Sequence, residues 1–426
     1  MIDYPPQMTT AIESSSPQKK VNLRTPDVLQ EVEAQVEAHY RSQLVERIRS
    51  QGGRISAAGM TIRLAKEFGF CYGVERAIDL AYAARKVFKD RPIYILGEII
   101  HNPEVNDQIQ ALGIKTLTGP TPEGRIDDLT SNDVVIIPAF GAEIATMNEL
   151  KAKGCQLVDT TCGDVMSVWK RVRQYASESI TSIIHGKAWH EETKATSSRA
   201  LAANGNGHYL VVFTLAETDY VCDYIRKGGY KAELLEKFKG AHSPGFDPDL
   251  HLKAVGVANQ TTMLRGETQE VQRRVRQAMV DRHGVDKITE HFRVFDTICG
   301  ATQDRQDALE KLLTEPINLL IVIGGYNSSN TAHLAEMGEV QLPTFFIKNA
   351  SKMESKEKIV HFSMQKHDEI TTSNWLPDGD ITVGVTAGAS CPNNLIEETI
   401  RRLFELRGVS TDQALGRFNR DPAVES

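Results

Sequence analysis

Val158-Asp159-Thr160-Thr161-Cys162-Gly163 closes one apolar run and opens a charged helical stretch, Asp164 to Ser177. The frame Asp-Thr-x-Cys-Gly recurs far downstream in Phe295-Asp296-Thr297-Ile298-Cys299-Gly300. A looser version stands earlier, in Glu67-Phe68-Gly69-Phe70-Cys71-Tyr72-Gly73-Val74-Glu75. Each thiol sits at the seam between an apolar or glycine-rich approach and a helix-like run, with glycine close behind. Three such turns, far apart in sequence, point to three α/β units around a shared centre, although the repeat in the primary sequence is faint.

The surrounding pattern agrees. Ile93-Tyr94-Ile95-Leu96, Val134-Val135-Ile136-Ile137, Ile180-Thr181-Ser182-Ile183-Ile184, Leu210-Val211-Val212-Phe213, Leu319-Leu320-Ile321-Val322-Ile323 and Ile381-Thr382-Val383-Gly384-Val385 are short apolar runs. Charged helical stretches such as Asp164 to Ser177 and Gly266 to His283 separate them. Continuous apolar strands between helices predict an α/β fold with parallel sheets covered on both faces. Ligands in such sheets sit beyond the carboxyl ends of the strands, which is where the informative residues lie.

Cys71, Cys162 and Cys299 share a turn context that Cys155, Cys222 and Cys391 lack, so the latter three read as small buried hydrophobes. Three thiolates satisfy three corners of an iron–sulfur cube and leave the fourth iron free for chemistry. No pair is spaced C-x-x-C, which argues against zinc ribbons, thioredoxin-type redox and local-motif ferredoxins. A mononuclear zinc site stays open but has no positive support.

Composition sets outer limits. The chain has 426 residues, 41% of them hydrophobic, enough for a large core and more than one domain. It lacks the run of about 18 apolar residues that a membrane span needs, and its start lacks the apolar stretch of a secretory signal. Six cysteines are too few for a disulfide scaffold in a chain this long, so a reducing compartment fits. A net charge of −7 argues against non-specific nucleic-acid binding. Residues 1 to about 25 are rich in Pro, Ser, Thr and Gln and read as mobile. From Pro26 to Ser50, Val28, Val32, Val36, Tyr40, Leu44 and Ile48 recur at helical spacing. They predict an amphipathic helix docked on the body or on a second subunit, ended by Gly52-Gly53.

Several strand ends are polar. His185-Gly186-Lys187-Ala188-Trp189-His190-Glu191-Glu192-Thr193 offers an acid/base and anion-binding cluster, and equally a polar loop running into a helix N-terminus. The spacing of a zinc-protease H-E-x-x-H is absent. Gly324-Gly325-Tyr326-Asn327-Ser328-Ser329-Asn330-Thr331 can cradle a phosphate without lysine, or form an ordinary N-cap. Thr386-Ala387-Gly388-Ala389-Ser390 and Asn259-Gln260-Thr261-Thr262 repeat the logic more weakly, and Leu96-Gly97-Glu98-Ile99-Ile100-His101-Asn102-Pro103 adds another strand-end histidine. Together they point to a polar, anion-accepting pocket.

From about Thr61 to Val409 the chain resembles the IspH/LytB family of 4-hydroxy-3-methylbut-2-enyl diphosphate reductases. The resemblance rests on Gly69-Phe70-Cys71-Tyr72-Gly73-Val74-Glu75-Arg76-Ala77, His185-Gly186-Lys187 with His190-Glu191-Glu192-Thr193, Asn259-Gln260-Thr261-Thr262, and Asn327-Ser328-Ser329-Asn330, in the family order. Pro138-Ala139-Phe140-Gly141-Ala142 and the N-terminal helix look like the plant and cyanobacterial branch. The resemblance implies a trefoil of three α/β units around a central [4Fe–4S] cluster with one open iron, held by Cys71, Cys162 and Cys299. The units then run 72–162, 163–296, and 61–71 joined with 297–409, between an extension (1–60) and a tail (410–426). The resemblance further implies that His101, His190, Ser328, Ser329, Asn330 and Ser390 hold the substrate diphosphate. Glu192 matches the proton donor, with Thr261 in its hydrogen-bond network at the substrate. Phe140 stands where many bacterial members have a phosphate-binding histidine, and Gly163 replaces a common proline.

The implied reaction is reductive dehydroxylation of an allylic diphosphate to isopentenyl and dimethylallyl diphosphate, the last step of the non-mevalonate isoprenoid pathway. Reduced ferredoxin or flavodoxin is the implied electron donor. A non-redox [4Fe–4S] dehydratase and a non-catalytic iron–sulfur carrier are the alternatives. The expected setting is a bacterial cytoplasm, with the plastid stroma as the alternative, and a homodimer is compatible with the N-terminal helix.

Overall fold

The computed structural model describes residues 21–23, 25–119, 121–201, 206–295 and 297–410. The start expected to be mobile over 1–20, the tail from 411 onward, and Asp296 of the cysteine frame lie outside the described residues.

All six apolar runs are strands, and they belong to three sheets. The first sheet orders Ile114–Thr116, Ile93–Ile95, Val134–Ile137 and Gln156–Asp159, all parallel. The second orders Phe292–Val294, Val255–Asn259, Thr181–His185 and Tyr209–Val212, again all parallel. The third has eight strands around a parallel centre of Met60–Leu64, Ile381–Ala387, Leu319–Ile323 and Thr344–Ile347. Val134–Ile137 and Leu319–Ile323 are buried at every position, as strands covered on both faces must be.

The third sheet departs from the all-parallel expectation at its margins. Arg54–Ala57 pairs antiparallel with Met60–Leu64 on one side. On the other, Lys358–Ser363 runs antiparallel to Thr344–Ile347 and is flanked by Met353–Ser355 and Asp368–Ser373. These strands are half exposed, so they carry mixed polar sequence instead of an apolar run. Main-chain pairing defines them more than burial does.

The N-terminal pattern folds as two helices, Pro26–Tyr40 and Gln43–Ser50, where one was expected. Arg41 is extended, and Ser42 caps the second helix by accepting the Val45 N–H at 3.0 Å. A good N-cap serine inside an apolar periodicity breaks the helix without disturbing its buried stripe. Val28, Val32 and Tyr40 join the core under the first sheet, while Leu44, Val45 and Ile48 join the core of the third. Gly52 and Gly53 follow at φ +83° and +70°, a region that side-chain-bearing residues avoid.

Close packing in the second sheet gives a testable cost. The helix Gly163–Ser177 lays the buried Tyr175 ring over Gly256, and the Tyr175 hydroxyl donates to the Val257 carbonyl at 3.0 Å. A Cβ at Gly256 would meet that ring at 2.7 Å. Gly256→Ala is therefore expected to destabilise the protein by about 1–3 kcal/mol, read as a lower midpoint in urea unfolding, with the site residues unaltered.

Candidate active site

The three frame cysteines occupy equivalent local positions. Cys71 caps the N-terminus of helix Tyr72–Val87, Cys162 that of Gly163–Ser177, and Cys299 that of Gly300–Leu313. All three have extended backbone angles, and none uses its side chain as a cap. Three positive helix ends thus converge on the sulfur atoms. Gly73 makes the approach feasible, because a Cβ there would lie 2.6 Å from Cys162 Sγ and 3.9 Å from Cys71 Sγ. All three thiols line one cavity.

Polar ties between the elements fix this convergence. Arg76, on the helix capped by Cys71, donates to the Thr160 and Thr161 carbonyls just before Cys162, at 3.2 and 3.1 Å. Asp164, on the helix capped by Cys162, lines the same cavity as Cys299, and its charge raises that thiol. Arg305, buried on the helix capped by Cys299, donates Nε–H to the Gly69 carbonyl just before Cys71 at 3.2 Å. The helices capped by Cys71 and Cys299 thus each hold the turn of another cysteine. Burial raises the Cys162 thiol and, with Asp164 adding to it, pushes Cys299 up to about 12.

The rest of the cavity is an anion-binding set beside one acid. Its lining includes His101, His190, Glu192, Thr261, Ser328, Ser329, Asn330 and Ser390. Ser328 caps helix Ser329–Glu339, which turns the Ser329 and Asn330 N–H groups and a positive helix end toward the same region. Asn330 Oδ1 accepts the Ala389 N–H at 2.9 Å, leaving its buried Nδ2 without a partner. His190 Nδ1 accepts the Glu192 N–H at 3.2 Å, and its buried Nε2 has none either. Burial, then the nearby His101, hold His190 well below the usual imidazole range, so it is neutral. His101 Nδ1 is braced by Glu98 at 2.9 Å, and its buried Nε2 has no hydrogen-bond partner, the Glu191 carboxylate standing 4.0 Å away. Buried polar atoms left unpaired cost free energy. Three of them around one cavity mark the place of a ligand rich in acceptor oxygens. Ser390 donates to the His101 carbonyl at 3.1 Å, tying the end of strand Ile381–Ala387 to the loop after Ile93–Ile95.

Glu192 is buried and held by Thr261, whose N–H reaches Oε1 at 2.6 Å and whose hydroxyl reaches Oε2 at 3.0 Å. Desolvation outweighs both contacts and pushes the carboxyl from 4.5 to about 7. The folded chain then binds more protons at this group than the unfolded chain between pH 4.5 and about 7. Its contribution to stability is full below that window and is lost as the pH rises through it. In the metal-free protein, the midpoint for thermal unfolding of wild type should fall relative to Glu192→Gln across this interval. Parallel midpoints at all pH values would place the Glu192 pKa near that of an ordinary carboxyl.

Every residue expected at the site lines this cavity. Phe140 does too, stacked on His101 with ring centres 4.7 Å apart at 7°, and edge-on to His190. The sequence reading missed Asp164 and Thr302 on the wall and Arg305 behind it, and quoted Thr262 and Arg76 within motifs without giving them a role. Arg76 and Arg305 stand five and six residues after their cysteines, a spacing that could have flagged them. Gln260 was quoted only as part of a motif. It accepts from the Lys187 N–H at 3.1 Å and the Thr193 hydroxyl at 3.2 Å, and donates to Ser329 at 3.2 Å.

Known proteins share this sequence pattern and this fold. A family model described as LytB protein matches residues 62–404. The 4-hydroxy-3-methylbut-2-enyl diphosphate reductase of Gloeobacter violaceus is 47% identical over 401 residues, covering 93% of this chain and 94% of that relative. The protein of the same name from Thermosynechococcus vestitus is 46% identical over 383 residues, covering 90% and 94%. Among solved structures, the E-1-hydroxy-2-methyl-but-2-enyl-4-diphosphate reductase from Plasmodium falciparum has a TM-score of 0.58 at 21% identity, over 80% of this chain and 87% of that one. At that identity the likeness is one of fold.

Proposed function

This chain belongs to the LytB protein family, and from that membership we propose that it reduces (E)-4-hydroxy-3-methylbut-2-enyl diphosphate to isopentenyl and dimethylallyl diphosphate. One substrate, two electrons and two protons give one product and one water. The observation that carries the reading is the meeting of three cysteine-capped helix ends with a buried acid and three unpartnered polar atoms in one cavity.

Cys71, Cys162 and Cys299 hold a [4Fe–4S] cluster. Three thiol donors, the space left by the missing Cβ of Gly73 and three positive helix ends fit an anionic sulfur-bound group. When bound, such a cluster supplies a Lewis-acidic iron with an open position and a route for single electrons. The chain's own residues do the rest. The Ser328-Ser329-Asn330 helix end, the Asn330 amide, Ser390, His190 and His101 hold the diphosphate, which fixes the direction of the allylic alcohol. Glu192 carries a proton near neutral pH and delivers it to the departing hydroxyl oxygen, so that water leaves. Thr261 fixes the orientation of that carboxyl. Phe140 buttresses His101 flat against its ring, so the residue that departs from the bacterial pattern aligns a diphosphate ligand instead of contacting charge.

The three units are 72–162, 163–296, and 61–71 with 297–409, and the donors are reduced ferredoxin or flavodoxin in a reducing cytoplasm. Anaerobic purification with iron and sulfide analysis, followed by assay on the allylic diphosphate, tests the reading. Reductant should be consumed in step with substrate. Loss of the substrate hydroxyl without reductant would instead identify a dehydratase.

A further inference from the structure

The proposed reduction draws two electrons per turnover from outside the protein, so something must meet the metal end of the molecule. The residue following each frame cysteine is exposed: Tyr72, Gly163 and Gly300. The three capped helix ends therefore open toward solvent on the side away from the helix bodies. Two large apolar side chains stand there within the first helical turn, Tyr72 at 75% exposure and Met166 at 44%. Gly73 against Cys162 brings their two helix ends into contact.

Charge on this side is uneven. On helix Gly163–Ser177, Met166, Lys170 and Arg173 recur four and three residues apart and are all exposed, so they form one stripe leading away from Cys162. Arg171 adds a guanidinium stacked 3.8 Å over Phe295. The only acid on this helix is Asp164, at its N-terminal end and on the cavity wall, away from the stripe. In a chain of net charge −7, this is a local positive field. The helix capped by Cys299 has the opposite character, with Asp304, Asp307 and Glu310 exposed.

We propose that Tyr72, Met166, Lys170 and Arg173 form the docking surface for a small acidic one-electron carrier protein. This rests on the reductase reading given above. The apolar pair beside Cys71 and Cys162 supplies short-lived contact close to the metal ligands. The basic stripe steers the carrier to that side, and the acidic helix at Cys299 turns it away from the other. Two carriers dock in succession, and each is oxidised by one electron. The two protons of the reaction come from Glu192 and solvent. Small, weak, electrostatically steered contacts are characteristic of redox encounters.

The test uses the full chain, loaded with its cluster anaerobically, and a plant-type [2Fe–2S] ferredoxin as probe. The double variant Lys170→Glu/Arg173→Glu is compared with wild type and with Lys239→Glu, a distant exposed control. At low ionic strength the double variant should raise the ferredoxin Kd and KM by about tenfold or more, a difference that shrinks as salt is added. Iron content and kcat driven by dithionite-reduced methyl viologen should stay at wild-type values. The docking assignment is overturned if ferredoxin binding is unchanged, if Lys239→Glu weakens it equally, or if viologen-driven turnover falls in parallel. It is also overturned if the substitutions alter the oligomeric state, which would make the stripe an interface between copies of the chain. Wild-type protein that holds its cluster yet turns over with neither donor would instead refute the reductase reading.

Discussion

Glu192→Gln should lose about 100- to 10,000-fold in turnover, the range general acid catalysis supplies, while keeping a full complement of iron and sulfide. Glutamine has the same shape, and its carbonyl can still accept the Thr261 N–H that now reaches Oε1 at 2.6 Å. What it lacks is a proton to give. The wild-type carboxyl is suited to giving one, because burial outweighs two hydrogen bonds and places its pKa at about 7. Wild-type kcat should accordingly fall as the pH rises through that value, and the residual rate of the variant should lack this limb. Substrate affinity should change little, since the diphosphate is held by other groups. Turnover within a few-fold of wild type would remove Glu192 as the acid.

Cys71→Ala, Cys162→Ala and Cys299→Ala should each strip iron and sulfide from the anaerobically prepared protein and bring turnover below detection. A thiolate ligand is part of the cluster's first coordination shell, and two thiolates from two helices do not substitute for three. The other cysteines provide the contrast. Cys155, Cys222 and Cys391 are buried, and burial pushes the Cys222 thiol up to about 12. Alanine at those positions should cost some packing energy but no metal. If iron is lost only from Cys155 or Cys222 variants, the ligand set is wrong.

The sequence announced what depends on local grammar. Cys162 and Cys299 share Asp-Thr-x-Cys-Gly, and each proves to be the last residue before a helix. Runs such as Leu319–Ile323 are strands because only a strand covered on both faces is apolar at every position. Hydroxyl- and amide-rich strand ends such as Ser328-Ser329-Asn330 meet the histidines, as their placement after strands required. The antiparallel margin of the third sheet was not legible, because strands such as Asp368–Ser373 carry mostly polar residues and owe their form to main-chain pairing with the preceding hairpin strand. The Ser42 break was hidden because the apolar period continues across it. The roles of Arg76 and Arg305 were hidden for another reason. Each acts on a backbone carbonyl, and a carbonyl leaves no trace in residue type.

The arginine clasps among the cysteine turns share one chemistry. They run from guanidinium groups to main-chain oxygens, and neither partner titrates near neutral pH. Sulfur can therefore gain or lose hydrogen while the helix ends keep their spacing. The framework that gathers the three thiols is thus indifferent to their charge, and it stands ready before any cargo arrives.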